Sequence, residues 1–233
     1  MKLPSKTLEQ KLLADGYGQI IGVDEVGMGA LAGPVVVCAV SFNKDFFKKS
    51  HEKLHWLRDS KQLLSYQREK FAAELLKQDD FSFQISYCHP KTIDKINIYQ
   101  AARLAMRKAI AKLTKDQSLR TRVRKIINPG LSPWSLDLSR IVVLVDGKTK
   151  IQGMPLEQMA IVKGDRKVFA IACASILAKV YRDKMMVKYA KKFPGYGFEK
   201  HKGYGTKEHQ VRLVKLGPCP IHRKSFKSVA DLL

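Results

Sequence analysis

Long apolar runs are missing from this chain. No stretch of its 233 residues approaches the ~20 consecutive apolar positions needed to cross a bilayer. The opening MKLPSKTLEQ lacks the apolar centre of a secretory signal. Cysteine is scarce: Cys38, Cys88, Cys173 and Cys219 stand far apart and form neither a zinc spacing nor a disulfide framework. Reduced, buried thiols in a cytoplasmic protein are the expectation. Histidine is equally unhelpful as a metal signal. His51 and His55 are four apart, but no third ligand follows at a useful spacing, so no zinc site is expected. Internal repeats and low-complexity tracts are absent. Acid is the scarcest charge, with 21 Asp and Glu against 43 Lys and Arg, a net charge of +22. That excess is the electrostatic footprint of a polyanion partner and carries no sequence specificity.

What the chain does have is acid in special places. Ile20 to Val23 is an apolar run that ends in the adjacent carboxylates Asp24 and Glu25. The glycine-rich Gly27 to Gly33 turn follows, then a second apolar run from Pro34 to Val40. Short apolar runs punctuated by glycine and proline read as strands. Carboxylates crowded at a strand end repel unless a cation or a proton lies between them; taken alone, the pair is a solvated acidic turn. A second strand, RIVVLVDGK at 140–148, ends in Asp146-Gly147, which alone is an ordinary turn aspartate. A persuasive helix, AIACASILAKVYRDKMMVKYAKKF, takes its apolar side from Ala174, Ile176, Leu177, Val180 and Met185. Ser175, Lys179 and Asp183 fall at i, i+4, i+8 along its polar stripe. Asp183 alone is an i,i+4 partner of Lys179 worth a few tenths of a kcal/mol. Together, three acids at strand ends and one on a following helix match a two-metal phosphodiesterase. Oxygen ligands suit Mg²⁺ or Mn²⁺, and ions about 4 Å apart stabilise both the attacking and the leaving oxygen.

The chain resembles ribonuclease HII, the type 2 ribonuclease H family. The matching stretches are GVDEVGMGALAGPVV (22–36), DSKQL (59–63), NIYQAARLAM (97–106), VDGK (145–148), VKGDRKVFAIACASILAKVYRD (162–183), HKGYGT (201–206) and GPCPIHRKSF (217–226). They run in family order over nearly the whole chain. The resemblance implies two-metal hydrolysis of the RNA strand of RNA–DNA hybrids and of DNA with embedded ribonucleotides, leaving 3′-hydroxyl and 5′-phosphate ends. It implies metal ligation by Asp24, Glu25, Asp146 and Asp183, with Mg²⁺ or Mn²⁺ as cofactor, and a monomeric cytoplasmic enzyme of DNA repair. It also implies substrate contacts by Gly27, Met28, Gly29, Lys61 and Tyr204, and makes Lys148, Lys163 and Arg166 candidates for backbone phosphates. Tyr204, between Gly203 and Gly205, matches the family tyrosine that packs on the sugar at the RNA–DNA junction; otherwise it is an aromatic anchor. His222 is expected to be structural or phosphate-facing. One departure is chemical. The family turn reads glycine–arginine–glycine, and here Met28 stands in the middle. A thioether cannot fork onto phosphate as a guanidinium does, so main-chain contacts are those expected to survive.

The expected architecture is a mixed five-stranded, ribonuclease H-like sheet flanked by helices, α/β in class, over residues 1–191, with a small helical appendage at 192–233. Strands are expected at 18–25 and 34–43 as an antiparallel pair, at 81–88, near 140–146 and near 158–163. Helices are expected over 66–78 with Ser65 as cap, over 98–113, from about 168, and over 207–216 with Thr206 as cap. Residues 115–139, with Arg120, Arg122 and Arg124, read as a tolerated surface insertion. Two other readings share parts of this evidence. Ribonuclease HIII or an integrase-like nuclease would share the acids, but HKGYGT and GPCPIH argue against both. A non-catalytic basic RNA-binding protein would share the charge without needing four converging acids.

Overall fold

The computed structural model describes residues 3–42, 44–48, 54, 63–127 and 140–233. Its elements run α1 (Thr7–Ala14), β1 (Gln19–Val26), β2 (Val35–Phe42), α2 (Lys44–Lys48), α3 (Ser65–Leu76), β3 (Phe81–Cys88), α4 (Pro90–Ile96) and α5 (Ile98–Ile127). They continue with β4 (Ile141–Asp146), β5 (Glu157–Ile161), a 3₁₀ turn (Gly164–Arg166), α6 (Phe169–Lys192), α7 (Phe198–His201), α8 (Lys207–Leu216) and α9 (Lys227–Ala230). The five strands form one sheet in the order β3-β2-β1-β4-β5. β1, β2 and β3 pair antiparallel, while β4 and β5 run parallel to β1. This is the expected mixed five-stranded sheet with flanking helices.

Successive residues of a strand face opposite sides, and here both sides are dry. Ile20, Val40, Phe42, Val142 and Leu144 pack with α6 and with Phe71 and Leu75 of α3. Ile21, Val23, Val37, Val143 and Val145 pack with Ile93 of α4 and with Ala101, Ala105, Ile110 and Leu113 of α5. Removing each such side chain from water contributes about 1.5–3 kcal/mol. β1 and α6 approach closely because both are small where they cross: a Cβ on Gly22 would lie 2.5 Å from the Ala170 carbonyl carbon.

Several local expectations need correction. Ser65 is the first residue of α3, not its cap; the preceding Leu64 N–H donates to Gln67 Oε1 at 2.8 Å instead. Thr206 does cap α8, its hydroxyl accepting from His209 N–H at 3.3 Å. On α6 the buried methionine is Met186, fully enclosed, and not Met185. The helix start is buried on all sides, which no single stripe describes. Much of the supposed insertion is helical: α5 continues to Ile127 because no glycine or proline interrupts it before Pro129. The rest of that segment (128–139), the DSKQL positions through Gln62, and His51 and His55 lie outside the described residues. No helix among the described residues is long and apolar enough to cross a membrane. All four cysteines are buried and free.

Candidate active site

The parallel pairing of β1 and β4 sets the site. Val23 pairs with Val145, so the next residues, Asp24 and Asp146, stand at the same level on neighbouring strands, where β4 and the β1–β4 ladder end and β1 runs on to Val26. Sheet spacing separates such neighbours by about 4.8 Å of backbone. Alternation turns both toward the α6 side, since Ile20, Val142 and Leu144 pack there. Carboxyl ends of parallel strands are where open α/β sheets bind ligands.

Asp24 is buried, and its carboxyl is held well above the usual carboxylate range. Burial is the main cause, followed by the charges of Glu25 and then Asp146; a Ser175 hydrogen bond and the Glu25 N–H oppose it. That N–H donates to Asp24 Oδ1 at 2.8 Å. Asp146 is aimed by the loop after β5, with Gly164 N–H donating to its Oδ1 at 2.6 Å. Gly147 N–H meets the Ile161 carbonyl at 3.0 Å, stitching the two loops together. Lys148, Lys163 and Arg166 are exposed on these loops, beside Asp146.

α6 runs along β1 in the same direction. Gly22 abuts Ala170, Asp24 bonds Ser175, and Gly27 abuts the Arg182 side chain. Asp183 therefore lies on the turn of α6 that passes the end of β1. Its carboxylate is paired with Lys179 Nζ at 2.7 Å and lies 3.7 Å from Arg68 Nη2. The sequence stripe Ser175–Lys179–Asp183 thus faces the acids. Among the described residues, no three His, Cys, Asp or Glu side chains yet close around one point as an ion's ligands would. The structure sets the charges of Glu25 and Asp146 against ionisation of Asp24, and pairs Asp183 with Lys179 and Arg68.

Beyond β1 the Gly27–Pro34 loop is held by two arginines, Arg182 and Arg223. Both are fully buried. Arg223 donates from Nε to Gly33 O (3.0 Å), from Nη1 to Met28 O (2.9 Å) and from Nη2 to Gly27 O (2.6 Å). Arg182 donates to the carbonyls of Pro34, Lys202 and Ala32. Burial, then the neighbouring Arg182, pushes Arg223 down to about 9. These arginines satisfy carbonyls that an irregular loop cannot pair with its own N–H groups.

The three turn positions differ. Gly27 has φ +94°, and a Cβ there would lie 2.3 Å from Arg182 Nε, so glycine is required by the fold itself. Gly29 is exposed, and a methyl added there would meet nothing within 4 Å. Met28 is half-buried and packs against the α5-side core. The half-buried Tyr204 ring lies 5.2 Å from the Arg182 guanidinium and 5.6 Å from Lys179 Nζ, which places it beside Asp183's own partner. Lys61 lies outside the described residues. His222 is structural, buried and bonded to Cys219 N–H and His209. Sequence reasoning missed Arg182 and Arg223 as loop clamps. Their neighbours in the chain gave no signal: Arg182 stands between Tyr181 and Asp183, and Arg223 between His222 and Lys224, as exposed arginines do.

Residues 21–229 match the family model described as Ribonuclease HII. A ribonuclease HII of Caldicellulosiruptor bescii is 45% identical over 226 residues, covering 97% of this chain and 95% of that one. The solved ribonuclease H2 of Pyrococcus horikoshii covers 92% of this chain and 96% of its own at 22% identity, with a TM-score of 0.62, a likeness of fold. A ribonuclease HIII solved in complex with Mn²⁺ also shares the fold, at 16% identity and a TM-score of 0.62, with 95% of this chain and 71% of that one covered. The ribonuclease H-like architecture, the family model and the near-complete span of the curated relative agree: this chain belongs to the ribonuclease HII family.

Proposed function

We propose that this chain is a divalent-metal-dependent endonuclease. It hydrolyses the RNA strand of RNA–DNA hybrids and cuts duplex DNA at embedded ribonucleotides, leaving 3′-hydroxyl and 5′-phosphate ends. One observation carries the reading: Asp24 and Asp146 share a level at the ends of parallel strands, and Asp24's carboxyl is driven up by burial and by two neighbouring acids. Repulsion of that kind is relieved by a cation, and an all-oxygen donor set suits Mg²⁺ or Mn²⁺. Asp24, Asp146, Glu25 and Asp183 are the carboxylates that would hold the ions. The chemistry such ions would supply, when bound, is a lowered pKa for the attacking water and charge stabilisation of the departing 3′-oxygen.

The chain's own residues supply orientation. Gly164 N–H fixes the Asp146 carboxylate and Ser175 steadies Asp24. Lys179 keeps the charge of Asp183 balanced and must yield it for Asp183 to serve as a ligand. No side-chain nucleophile is required. Lys148, Lys163 and Arg166 take backbone phosphates. The main chain of the Gly27-Met28-Gly29 turn, chiefly exposed Gly29, and the Tyr204 ring meet the ribose. A-form width and 2′-hydroxyls separate hybrid from duplex DNA. The chain acts as a monomer on these nucleic acids.

The test is cleavage of a DNA duplex holding one ribonucleotide beside a long RNA–DNA hybrid. Incision of both with Mg²⁺ or Mn²⁺, and none with chelator, is expected. Binding without cleavage under every divalent ion would instead favour a non-catalytic RNA-binding protein.

A further inference from the structure

Three histidines lie behind the Gly203–Gly205 turn, and their hydrogen bonds admit one pattern of protons. Cys219 N–H donates to His222 Nδ1 at 2.9 Å. A ring nitrogen that accepts carries no proton, so neutral His222 is protonated on Nε2. That atom lies 3.1 Å from His209 Nε2. Donation there makes His209 Nε2 the acceptor and leaves the His209 proton on Nδ1. His209 Nδ1 lies 3.0 Å from the Tyr204 carbonyl oxygen, which can only accept. His201 obeys the same logic: Gly203 N–H donates to its Nδ1 at 3.2 Å, and its Nε2 donates to Tyr196 O at 2.9 Å. The His201 and His209 rings stack, with centroids 4.4 Å apart and planes 14° from parallel. A single directed chain therefore runs from Cys219 N–H through two imidazoles to the backbone of Tyr204.

Both relay histidines are buried, and burial pushes each down to about 4, so both stay neutral under ordinary conditions. Apolar side chains would fill the same space without the cost of burying polar groups. What imidazoles add is direction, because a satisfied polar network fixes one geometry where apolar packing tolerates several. The far end of the relay is the residue whose ring faces Lys179 and Arg182. The turn has other ties, including Leu31 N–H to Gly203 O and Thr206 N–H to the Tyr204 carbonyl itself, both at 2.8 Å; His209 Nδ1 adds a side-chain donor to that same carbonyl.

We propose that the His222–His209 relay is a positioning device that sets the Tyr204 ring against the ribose at an RNA–DNA junction. It rests on the reading of Tyr204 as a sugar contact. The experiment compares kcat/KM for a DNA duplex with one embedded ribonucleotide and for a long hybrid, using full-length wild type, Tyr204→Ala, His209→Phe, His209→Asn and the double variant His209→Phe/Tyr204→Ala. His209→Phe removes the side-chain donor to the Tyr204 carbonyl, leaving only Thr206 N–H there. It should lose about tenfold or more on the single-ribonucleotide duplex, the scale of one stacking contact, and much less on the hybrid. His209→Asn, whose amide can donate from near the Nδ1 position, should recover most of that loss. In the Tyr204→Ala background, His209→Phe should add nothing further.

Equal losses by His209→Phe on both substrates, or a full additional loss in the double variant, would overturn the relay. If Tyr204→Ala is itself unselective, the sugar-contact reading fails and the relay falls with it. If Tyr204→Ala is selective and His209→Phe is not, only the relay fails. Should His209→Phe not fold, His222→Gln and His222→Leu put the same question. Glutamine can still donate toward His209 and leucine cannot, so equal behaviour of those two would overturn the proposal.

Discussion

The two halves of the site are built by different means. The acids stand on regular structure: a parallel strand pair fixes Asp24 beside Asp146, and a helix laid along β1 brings Asp183 to the strand's end. The Gly27–Pro34 loop and the Tyr204 turn are joined only by isolated backbone bridges, and buried side chains that hold their carbonyls, Arg182, Arg223 and His209, do the rest of the shaping. On the acid side, repulsion is stored where chemistry needs a cation. On the loop side, almost every polar group is satisfied in the protein itself. Changes to the first half should therefore cost activity without stability, and changes to the second should cost stability along with activity.

The largest expected effect breaks the acid half. Asp24→Asn or Asp146→Asn should lower cleavage by roughly a thousandfold or more, the scale of several kcal/mol of lost charge stabilisation. Hybrid binding should persist, since phosphate contacts carry most of the affinity. With metal chelated, Asp24→Asn should also melt higher than wild type, because it removes a buried charge that its neighbours oppose. A lower melting temperature in chelator would show that the repulsion is not stored there.

The loop half should behave in the opposite way. Arg223→Met removes the guanidinium donors to the carbonyls of Gly27, Met28 and Gly33, leaving Gly27 O only the long 3.4 Å bond from Ala30 N–H. Each buried carbonyl left unsatisfied costs about 1–3 kcal/mol. Denaturant unfolding should register this whether or not substrate is present. Within the turn, Gly27→Ala should be strongly destabilising, from its positive φ and the Arg182 clash, while Gly29→Ala should change stability by no more than about 0.5 kcal/mol. Activity loss at Gly29 without a shift in melting would mark the point where ribose approaches backbone.

A smaller effect comes from a buried acid far from the strand ends. Glu9 is fully buried at the start of α6, where its Oε1 accepts from Ala170 N–H at 2.8 Å. Burial raises its carboxyl from the usual 4.5 to about 7. A folded pKa above the unfolded one means its stabilisation is complete below about 4.5 and is lost as pH rises through 7. His209 and His222 act oppositely: held at about 4, they stabilise fully above 6.5 and lose this as pH falls toward 4. Glu9→Gln should remove the alkaline decline, a gain of about a few degrees in melting temperature at pH 8. An unchanged pH profile would contradict the assignment. Met28→Arg should do least: tighter binding by about 1 kcal/mol through one charge-assisted contact, fading at high salt.

The same contrast explains what could be read from the sequence. Ile20 to Glu25 and Arg140 to Lys148 declared their strands because apolar runs with β-branched residues need burial on both faces, and an acid at the end of each is conspicuous. Ser175, Lys179 and Asp183 showed their common face through helical spacing alone. Arg223 and Arg182 could not be read this way. An arginine that serves buried carbonyls looks in sequence like one that serves phosphate, and only the path of the loop separates them. His209 and His222 are thirteen positions apart, so their contact depends on how α8 packs over the segment leading to Arg223, which no local pattern encodes. Ser65 failed as a cap for a simpler reason: the helix began one residue early, with Gln67 supplying the cap.

Calorimetric titration of Mn²⁺ into wild type, Asp24→Asn and Asp146→Asn, with cleavage measured on the same samples, bears most directly on the acid cluster as a cation site. Wild type should bind the ion and cut, and both variants should lose binding and cleavage together. Wild-type Mn²⁺ affinity and cleavage retained in either variant would contradict the account.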